Sequence, residues 1–511
     1  MLSKLNTLCL KGIDGREVRA EVYIASGLPS YSVVGLPDAA VKEAKDRVVA
    51  AVRNSGFDFP SKRITVNLAP AEIKKTGTHF DLPIALGVIA ASGRLGKEPP
   101  ARLEDTFFIG ELALDGALRP VAGVLPMLLA LKGRGGTAVV PHGNSAEAAI
   151  SGVNCLSASS LKEVAAWLAG EAELEACAVP ASGQPPAGAV NDFSEVKGQP
   201  FAKRALEIAA AGFHNVILVG PPGAGKSMLA RRFGALLPPM TFDESLETTK
   251  LYSVSGLVAA GRLVSERPFR EPHHTISDAA LIGGGSSPRP GEVSLAHNGV
   301  LFMDEFPEFS RPALEALREP LEAWKVTVSR VKESVAYPAR FLMVAAMNPC
   351  PCGYLGHPTR ECACSPLQVH KYRAKISGPI LDRIDLQVQL SAVKYADWEA
   401  MPRGEPTAAI AGRVLKAMDI QRKRFKGGVK ANAFMAGAEL RRHCSLPSGA
   451  SAVLETAMNK LGFSARSLDK ILKISRTIAD LEGVPEIKKE HIIEAVQYRM
   501  LDKAGALAAG F

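Results

Sequence analysis

The stretch Val216-Ile217-Leu218-Val219-Gly220-Pro221-Pro222-Gly223-Ala224-Gly225-Lys226-Ser227 decides the reading of this chain. Four apolar residues suit a buried strand, and the glycine spacing that ends in Lys-Ser satisfies the phosphate-loop pattern. Glycines in that turn let successive backbone N–H groups face phosphate oxygens. The helix expected over 226–236 adds the positive end of its dipole to the same place. The expected nucleotide cradle is Gly220, Pro221, Pro222, Gly223, Ala224, Gly225, Lys226, Ser227 and Met228. Within it Lys226 is the expected partner of the β/γ-phosphates and Ser227 the expected Mg²⁺ ligand.

Further along, Gly299-Val300-Leu301-Phe302-Met303-Asp304-Glu305 is again an apolar strand, now ending in two acids. Asp304 is expected to order the Mg²⁺ shell and Glu305 to polarise an attacking water, the division of labour that ATP hydrolysis needs. A third apolar run, 341–347, ends at Asn348, a polar group suited to positioning that water. Leu381-Asp382-Arg383-Ile384-Asp385 resembles the arginine-finger motif of the magnesium-chelatase and minichromosome-maintenance branch of AAA+ proteins. That resemblance implies that Arg383 reaches a neighbouring subunit and neutralises charge on the transferred phosphoryl group. Its bland alternative is an ion pair with Asp382 or Asp385 in its own chain. Gly462-Phe463-Ser464-Ala465-Arg466 matches the second sensor of the same branch, which implies that Arg466, at a helix start, reaches the γ-phosphate.

The 511 residues exceed one ordinary domain, and with 47% hydrophobic and 22% charged residues the chain can bury several cores. No run approaches the 18 or so uncharged apolar residues of a membrane span, and the first residues lack a signal-peptide pattern, so a cytoplasmic location is expected. The formal charge of +9 sits mostly in 391–511, which hold 20 Lys and Arg against 13 Asp and Glu. Such a balance suits polyanion binding without establishing it. Four of the eight cysteines, Cys350, Cys352, Cys362 and Cys364, cluster on a Gly/Pro-bounded loop. Four thiolates there can close a tetrahedral, structural Zn²⁺ site, with His357 as a substitute ligand.

Between the phosphate loop and Asp304 lies a long insertion with Arg267-Pro268-Phe269-Arg270-Glu271-Pro272-His273-His274-Thr275 and a Gly/Ser/Pro segment containing Arg289. Its residues match the helix-two insert of magnesium-chelatase-like ATPases. Adjacent histidines point different ways from one backbone, so His273 and His274 read as structural or pore-loop donors rather than metal ligands. A hairpin of 325–330 against 333–338 is expected before the Asn348 strand. Lys325, Arg330, Lys332 and Arg289 are the expected DNA-contact residues, cationic tips that meet phosphates from a central pore. Arg422, Lys423, Arg424 and Lys426 form the densest basic run.

Ahead of the ATPase, runs such as 17–25, 31–34 and 63–68 alternate with helical stretches 39–55 and 82–92, which predicts an α/β domain. Val34-Gly35-Leu36-Pro37-Asp38, Asn67-Leu68-Ala69-Pro70 and Gly77-Thr78-His79-Phe80-Asp81 resemble the inactive Lon-protease-like domain, of ribosomal S5 domain 2-like fold, found before the ATPase in bacterial magnesium-chelatase-like proteins. A peptidase of that fold needs a serine and a lysine; by register those positions fall near His79 and Leu125, so no peptidase activity is expected. His79 and Asp81 read as buried hydrogen-bonding residues at a turn.

The chain thus divides into an α/β domain (1–170), a linker (171–190), a three-layer AAA+ α/β core with the helix-two insert and Cys-rich loop (191–390), and an all-α lid (391–511). The landmarks together resemble the bacterial magnesium-chelatase-like AAA+ family. The resemblance implies a homo-hexameric, ATP-driven DNA helicase that promotes branch migration when transforming DNA is recombined. The competing expectation is a chelatase-type ATPase that remodels a protein partner.

Overall fold

The computed structural model describes residues 1–95, 100–178, 192–258, 262–285, 288–330, 333–392, 401–425 and 430–499. Two separate sheets organise them. The first has eight strands in the order Glu175–Ala176, Asn154–Ala158, Thr137–Pro141, Thr106–Phe108, Leu2–Lys11, Asp14–Ala25, Arg63–Ala69, Ser30–Val34. Leu2–Lys11 and Asp14–Ala25 form an antiparallel hairpin that turns at Gly12, whose φ of 65° favours glycine. Strand side chains alternate between two layers: Leu5 and Cys9 enter the core under the helices Ala39–Asn54 and Asp81–Ala91, while Leu8 joins Val124 and Met127 on the other face. Asp81–Ala91 is buried at every position and has no polar face to offer water. Part of the expected linker is strand, since Glu175–Ala176 closes one edge of this sheet; residues 179–191 lie outside the described residues.

The second sheet is parallel throughout, in the order Phe269–Arg270, Val300–Met303, Leu342–Met347, Val216–Val219, Leu386–Gln389. Its three central strands are buried at every residue, as a parallel sheet covered on both faces requires. Val216, Leu218, Val300, Phe302 and Val344 face one core, and Ile217, Val219, Leu301, Met303 and Met343 the other. The first of these cores also takes Ile410 and Val414 of Thr407–Arg424, Ile471 and Ile478 of Ala465–Leu481, and Ile492 of Lys489–Gln497. The C-terminal helices therefore share the apolar interior of the sheet. Expected helix limits are close to those observed, although the phosphate-loop helix is α only over Lys226–Phe233 and tightens to a 3₁₀ turn at Gly234–Leu236. The last helix among the described residues is Lys489–Gln497.

The two sheets meet through the helix Phe242–Val254. Ser253 O accepts from Gly123 N at 3.0 Å, and Lys250 Nζ lies 3.6 Å from Asp14 Oδ1. The expected hairpin is present as Lys325–Arg330 paired with Glu333–Pro338, Lys325 opposite Pro338. It leans on the insertion, where Tyr337 OH donates to Pro288 O at 2.8 Å.

Candidate nucleotide site and cysteine cluster

Val216–Val219 lies between Leu342–Met347 and Leu386–Gln389; the chain leaves it for Phe269–Arg270 and Val300–Met303 on one side and later crosses to Leu386–Gln389 on the other, so the crevice beyond its carboxyl end is a natural ligand position. The phosphate loop occupies that end. Gly223 and Gly225 hold φ of 78° and 90°, and Gly225 caps the helix Lys226–Phe233. Lys226 is 9% exposed; its Nζ donates to Gly220 O at 2.6 Å, Pro221 O at 2.9 Å and Asn348 Oδ1 at 3.1 Å. Burial lowers its pKa and the nearby Asp304 carboxylate works in the opposite direction. Ser227 Oγ donates to Asp304 Oδ2 at 2.7 Å, while Asp304 Oδ1 accepts from Glu305 N at 2.9 Å. Three adjacent parallel strands thus bring Lys226, Ser227, Asp304, Glu305 and Asn348 to one edge. Ala224 is buried and Met228 is exposed.

Two residues that sequence reasoning did not place here complete the edge. Gln199, itself at φ 51°, donates through Nε2 to Ala224 O at 3.3 Å and Ser391 O at 2.8 Å, tying the loop to the segment after the last strand. His274, read as a structural or pore-loop donor, lies with Nδ1 3.0 Å from Glu305 Oε2. The insertion folds back from the edge strand Phe269–Arg270, which pairs with the Asp304 strand, and so returns the histidine to the acid. His273 stacks on His274 with ring centroids 4.2 Å apart and bonds Thr275 Oγ1 at 2.9 Å.

Arg383 and Arg466 stand elsewhere. Leu386 pairs with Val216, so Arg383 precedes the strand pair that the phosphate loop follows, with four strand residues or roughly 13 Å between the two ends. Arg383 is mostly buried; Nη1 donates to Pro379 O at 2.6 Å and the guanidinium pairs with Glu322, rather than with Asp382 or Asp385. Arg466 pairs with Asp382 at 2.8 Å and is 74% exposed. It therefore sits beside Arg383, at the edge opposite the phosphate loop of its own chain. Asp385 meets Asn215 N, Lys470 and His214; burial opposes its charge, but Lys470 and His214 hold its carboxyl well below the usual range.

The four clustered cysteines converge, every Sγ lying within 4.8 Å of the others. Cys350 to Cys352, Cys350 to Cys362 and Cys352 to Cys362 are 3.4, 3.6 and 3.5 Å. A tetrahedral zinc with Zn–S of about 2.3 Å separates its sulfurs by about 3.8 Å, so this donor set fits the ion. Backbone amides already point at the sulfurs: Leu355 N to Cys350 Sγ and Cys352 N to Cys364 Sγ, both 3.4 Å. The Tyr354 amide above all draws the Cys352 thiol down to about 6, which makes a thiolate available near neutral pH. His357, the expected substitute ligand, stands outside this converging group, and its Nδ1 accepts from Thr359 N and Arg360 N at 3.2 and 3.1 Å.

Among the expected DNA contacts, Lys325 and Arg289 are exposed, Arg330 ends its strand, and Lys332 lies outside the described residues. The basic run is less available than its composition suggests. Arg424 pairs with Asp480, Nη1 to Oδ2 at 2.7 Å, in a buried network with Asn432 and Arg476; Arg422 pairs with Asp419; Lys426 lies outside the described residues. Leu125 is fully buried, and so is His79, whose neutral ring is pushed by burial to a pKa of about 4. Asp81 forms a bidentate pair with Arg47 at 2.7 and 3.0 Å. Among the described residues no helix is long and apolar enough to cross a membrane.

Residues 192–398 match the family described as Magnesium chelatase, subunit ChlI; residues 20–144 match Subunit ChlI of Mg-chelatase, and residues 404–499 match its C-terminal region. The chain is 42% identical over 505 residues to the protein YifB of Salmonella typhimurium, with 98% of each chain covered. It is 44% identical over 500 residues to the competence protein ComM of Haemophilus influenzae, covering 96% of each. It belongs to the magnesium-chelatase-like ComM/YifB family. More distantly, the magnesium-chelatase 38 kDa subunit of Rhodobacter capsulatus is 24% identical over 346 residues, 62% of this chain and 91% of that one. For a ComM/YifB protein the family indicates an AAA+ ATPase, for which ATP and Mg²⁺ are the fitting substrate and ion.

Proposed function

We propose that this ComM/YifB-family chain is an ATP-driven DNA motor that works as a homo-hexamer, a helicase promoting branch migration when incoming DNA is recombined during natural transformation. The observation that carries the reading is the polarity of the sheet: Lys226, Ser227, Asp304, Glu305 and Asn348 at one edge, Arg383 and Arg466 at the other. One subunit holds both halves of a hydrolytic site but cannot join them. A ring closes the site, with each phosphate loop meeting the arginines of the next subunit.

In that assembled site Lys226 would leave the carbonyls of Gly220 and Pro221 for the γ-phosphate, and Asn348, already 3.1 Å from Lys226 Nζ, would move with it. Ser227 and Asp304 offer two hard oxygens within one hydrogen bond of each other, the donors Mg²⁺ selects. Held by Ser227 and Asp304, Mg²⁺ would supply positive charge to offset that of the phosphates. Glu305 would take the proton of the attacking water, and Arg383 and Arg466 would stabilise charge on the transferred group. Four thiolates would hold a structural Zn²⁺.

The DNA part of the reading rests on the competence protein among the relatives and on the exposed cations Lys325 and Arg289. Hydrolysis measured with and without single-stranded and branched DNA, at two salt concentrations, tests it. Salt-sensitive stimulation by DNA is the expected result. Turnover indifferent to DNA would overturn it in favour of an ATPase that remodels a protein partner.

A further inference from the structure

The cysteine cluster is not remote from the phosphate loop. Cys350 follows Asn348 by two residues, and the carbonyl between them, Pro349 O, accepts from the buried Arg373 Nε at 3.1 Å. Past Cys352 the loop turns at Gly353, whose φ is 84° and whose N donates to Cys350 O at 3.0 Å. A Cβ at Gly353 would come within 2.8 Å of Pro222 Cδ and 2.9 Å of Pro222 Cγ. The turn demanded by the sulfur cluster is thus pressed against the third residue of the phosphate loop, and only a glycine fits between them.

We propose that a zinc ion held by Cys350, Cys352, Cys362 and Cys364 is part of the architecture of the nucleotide site, fixing through Gly353 the outer lip of the phosphate loop and through Cys350 the place of Asn348, so that nucleotide affinity depends on metal occupancy. The proposal rests on the zinc reading given above. The bare loop is a Gly/Pro-rich excursion whose thiols, Cys350 apart, are partly exposed; it has little apolar core to hold its shape. With the metal in place the amides of Leu355 and Cys352 bond to thiolate sulfurs, and the turn at Gly353 has one geometry. Pro222 then packs against a fixed wall. Without it, the wall and the polar tip of Asn348 lose their common anchor, and Lys226 loses a fixed acceptor.

Coupling between two ligands is reciprocal, which gives the test two independent arms. The full-length chain, purified without a metal-affinity tag, is assayed for zinc content, and its zinc is titrated against a colorimetric chelator with and without saturating ADP. Separately, a fluorescent ADP analogue is titrated onto zinc-loaded, stripped and reloaded protein. The expected result is about one zinc per chain, held about tenfold more tightly with ADP, and ADP bound about tenfold more weakly after stripping, with recovery on reloading. Because a merely structural zinc would also be protected by any ligand of the folded chain, Gly353→Ala supplies the discriminating measurement. It retains all four thiols, and in its zinc-loaded form ADP should bind about tenfold more weakly than to the parent. Unchanged ADP affinity in zinc-loaded Gly353→Ala, or ADP titrations that do not respond to stripping, would overturn the coupling and leave the zinc site standing. A purified chain with no zinc would remove the site itself.

Discussion

His274 Nδ1 lies 3.0 Å from Glu305 Oε2, joining the insertion to the acid that ends the Asp304 strand. Glu305 is itself constrained, with a backbone φ of 52° that non-glycine residues seldom adopt. A side chain on a strained, half-exposed turn needs an external partner to hold one direction, and the histidine supplies it. His274→Ala should therefore lower kcat for ATP by about 10- to 100-fold with little change in KM, the pattern of a misplaced base. His274→Asn, which keeps a donor, should recover most of the loss. Steady-state kinetics of the two variants check this; equal losses in both would assign the histidine a packing role only.

Lys226→Ala removes the cation that Gly220 O, Pro221 O and Asn348 Oδ1 surround. Loss of this one charge at the developing phosphate charge should lower kcat/KM by about 10³-fold. Nucleotide binding should fall with it, while thermal unfolding changes little. Titration of a fluorescent nucleotide analogue and a phosphate-release assay are the measurements.

Arg383→Ala and Glu305→Gln should each abolish turnover, yet mixtures of the two should regain part of it. In a mixed ring some interfaces pair an intact Glu305 with an intact Arg383, since the two lie at opposite edges of one sheet. No recovery in rings verified to be mixed would show that the arginine acts within its own chain.

His79 makes stability depend on pH. Its folded pKa of about 4 lies below the unfolded value near 6.5, so below pH 6.5 the unfolded chain takes up a proton that the folded chain refuses. Stability is full above that pH and declines as pH falls toward 4, by up to about 3 kcal/mol. His79→Gln should flatten this part of the profile. Urea midpoints at pH 7 and pH 4.5 for both proteins measure the difference.

What the sequence determined by itself is what short windows encode. Apolar runs of four to six residues were legible as buried strands, and Gly225-Lys226-Ser227 as a helix start. The hairpin over Lys325–Arg330 and Glu333–Pro338 and the four converging cysteines were also readable, because turn chemistry, periodicity and ligand spacing are local. Strand order is not local, and it decided the rest. Insertion of Leu342–Met347 between the Lys226 and Asp304 strands put Asn348 beside Lys226, and the parallel register of Leu386 with Val216 sent Arg383 to the far edge. Arg466 followed it there through Asp382, and Arg424, a member of the densest basic run, turned inward to Asp480. His274 with Glu305 and Gly353 with Pro222 are partners separated along the chain by whole strands and loops. Such pairs form only once the paths of the intervening segments are set, and a buried or strained group then takes whichever partner the packing brings within hydrogen-bond or van der Waals reach.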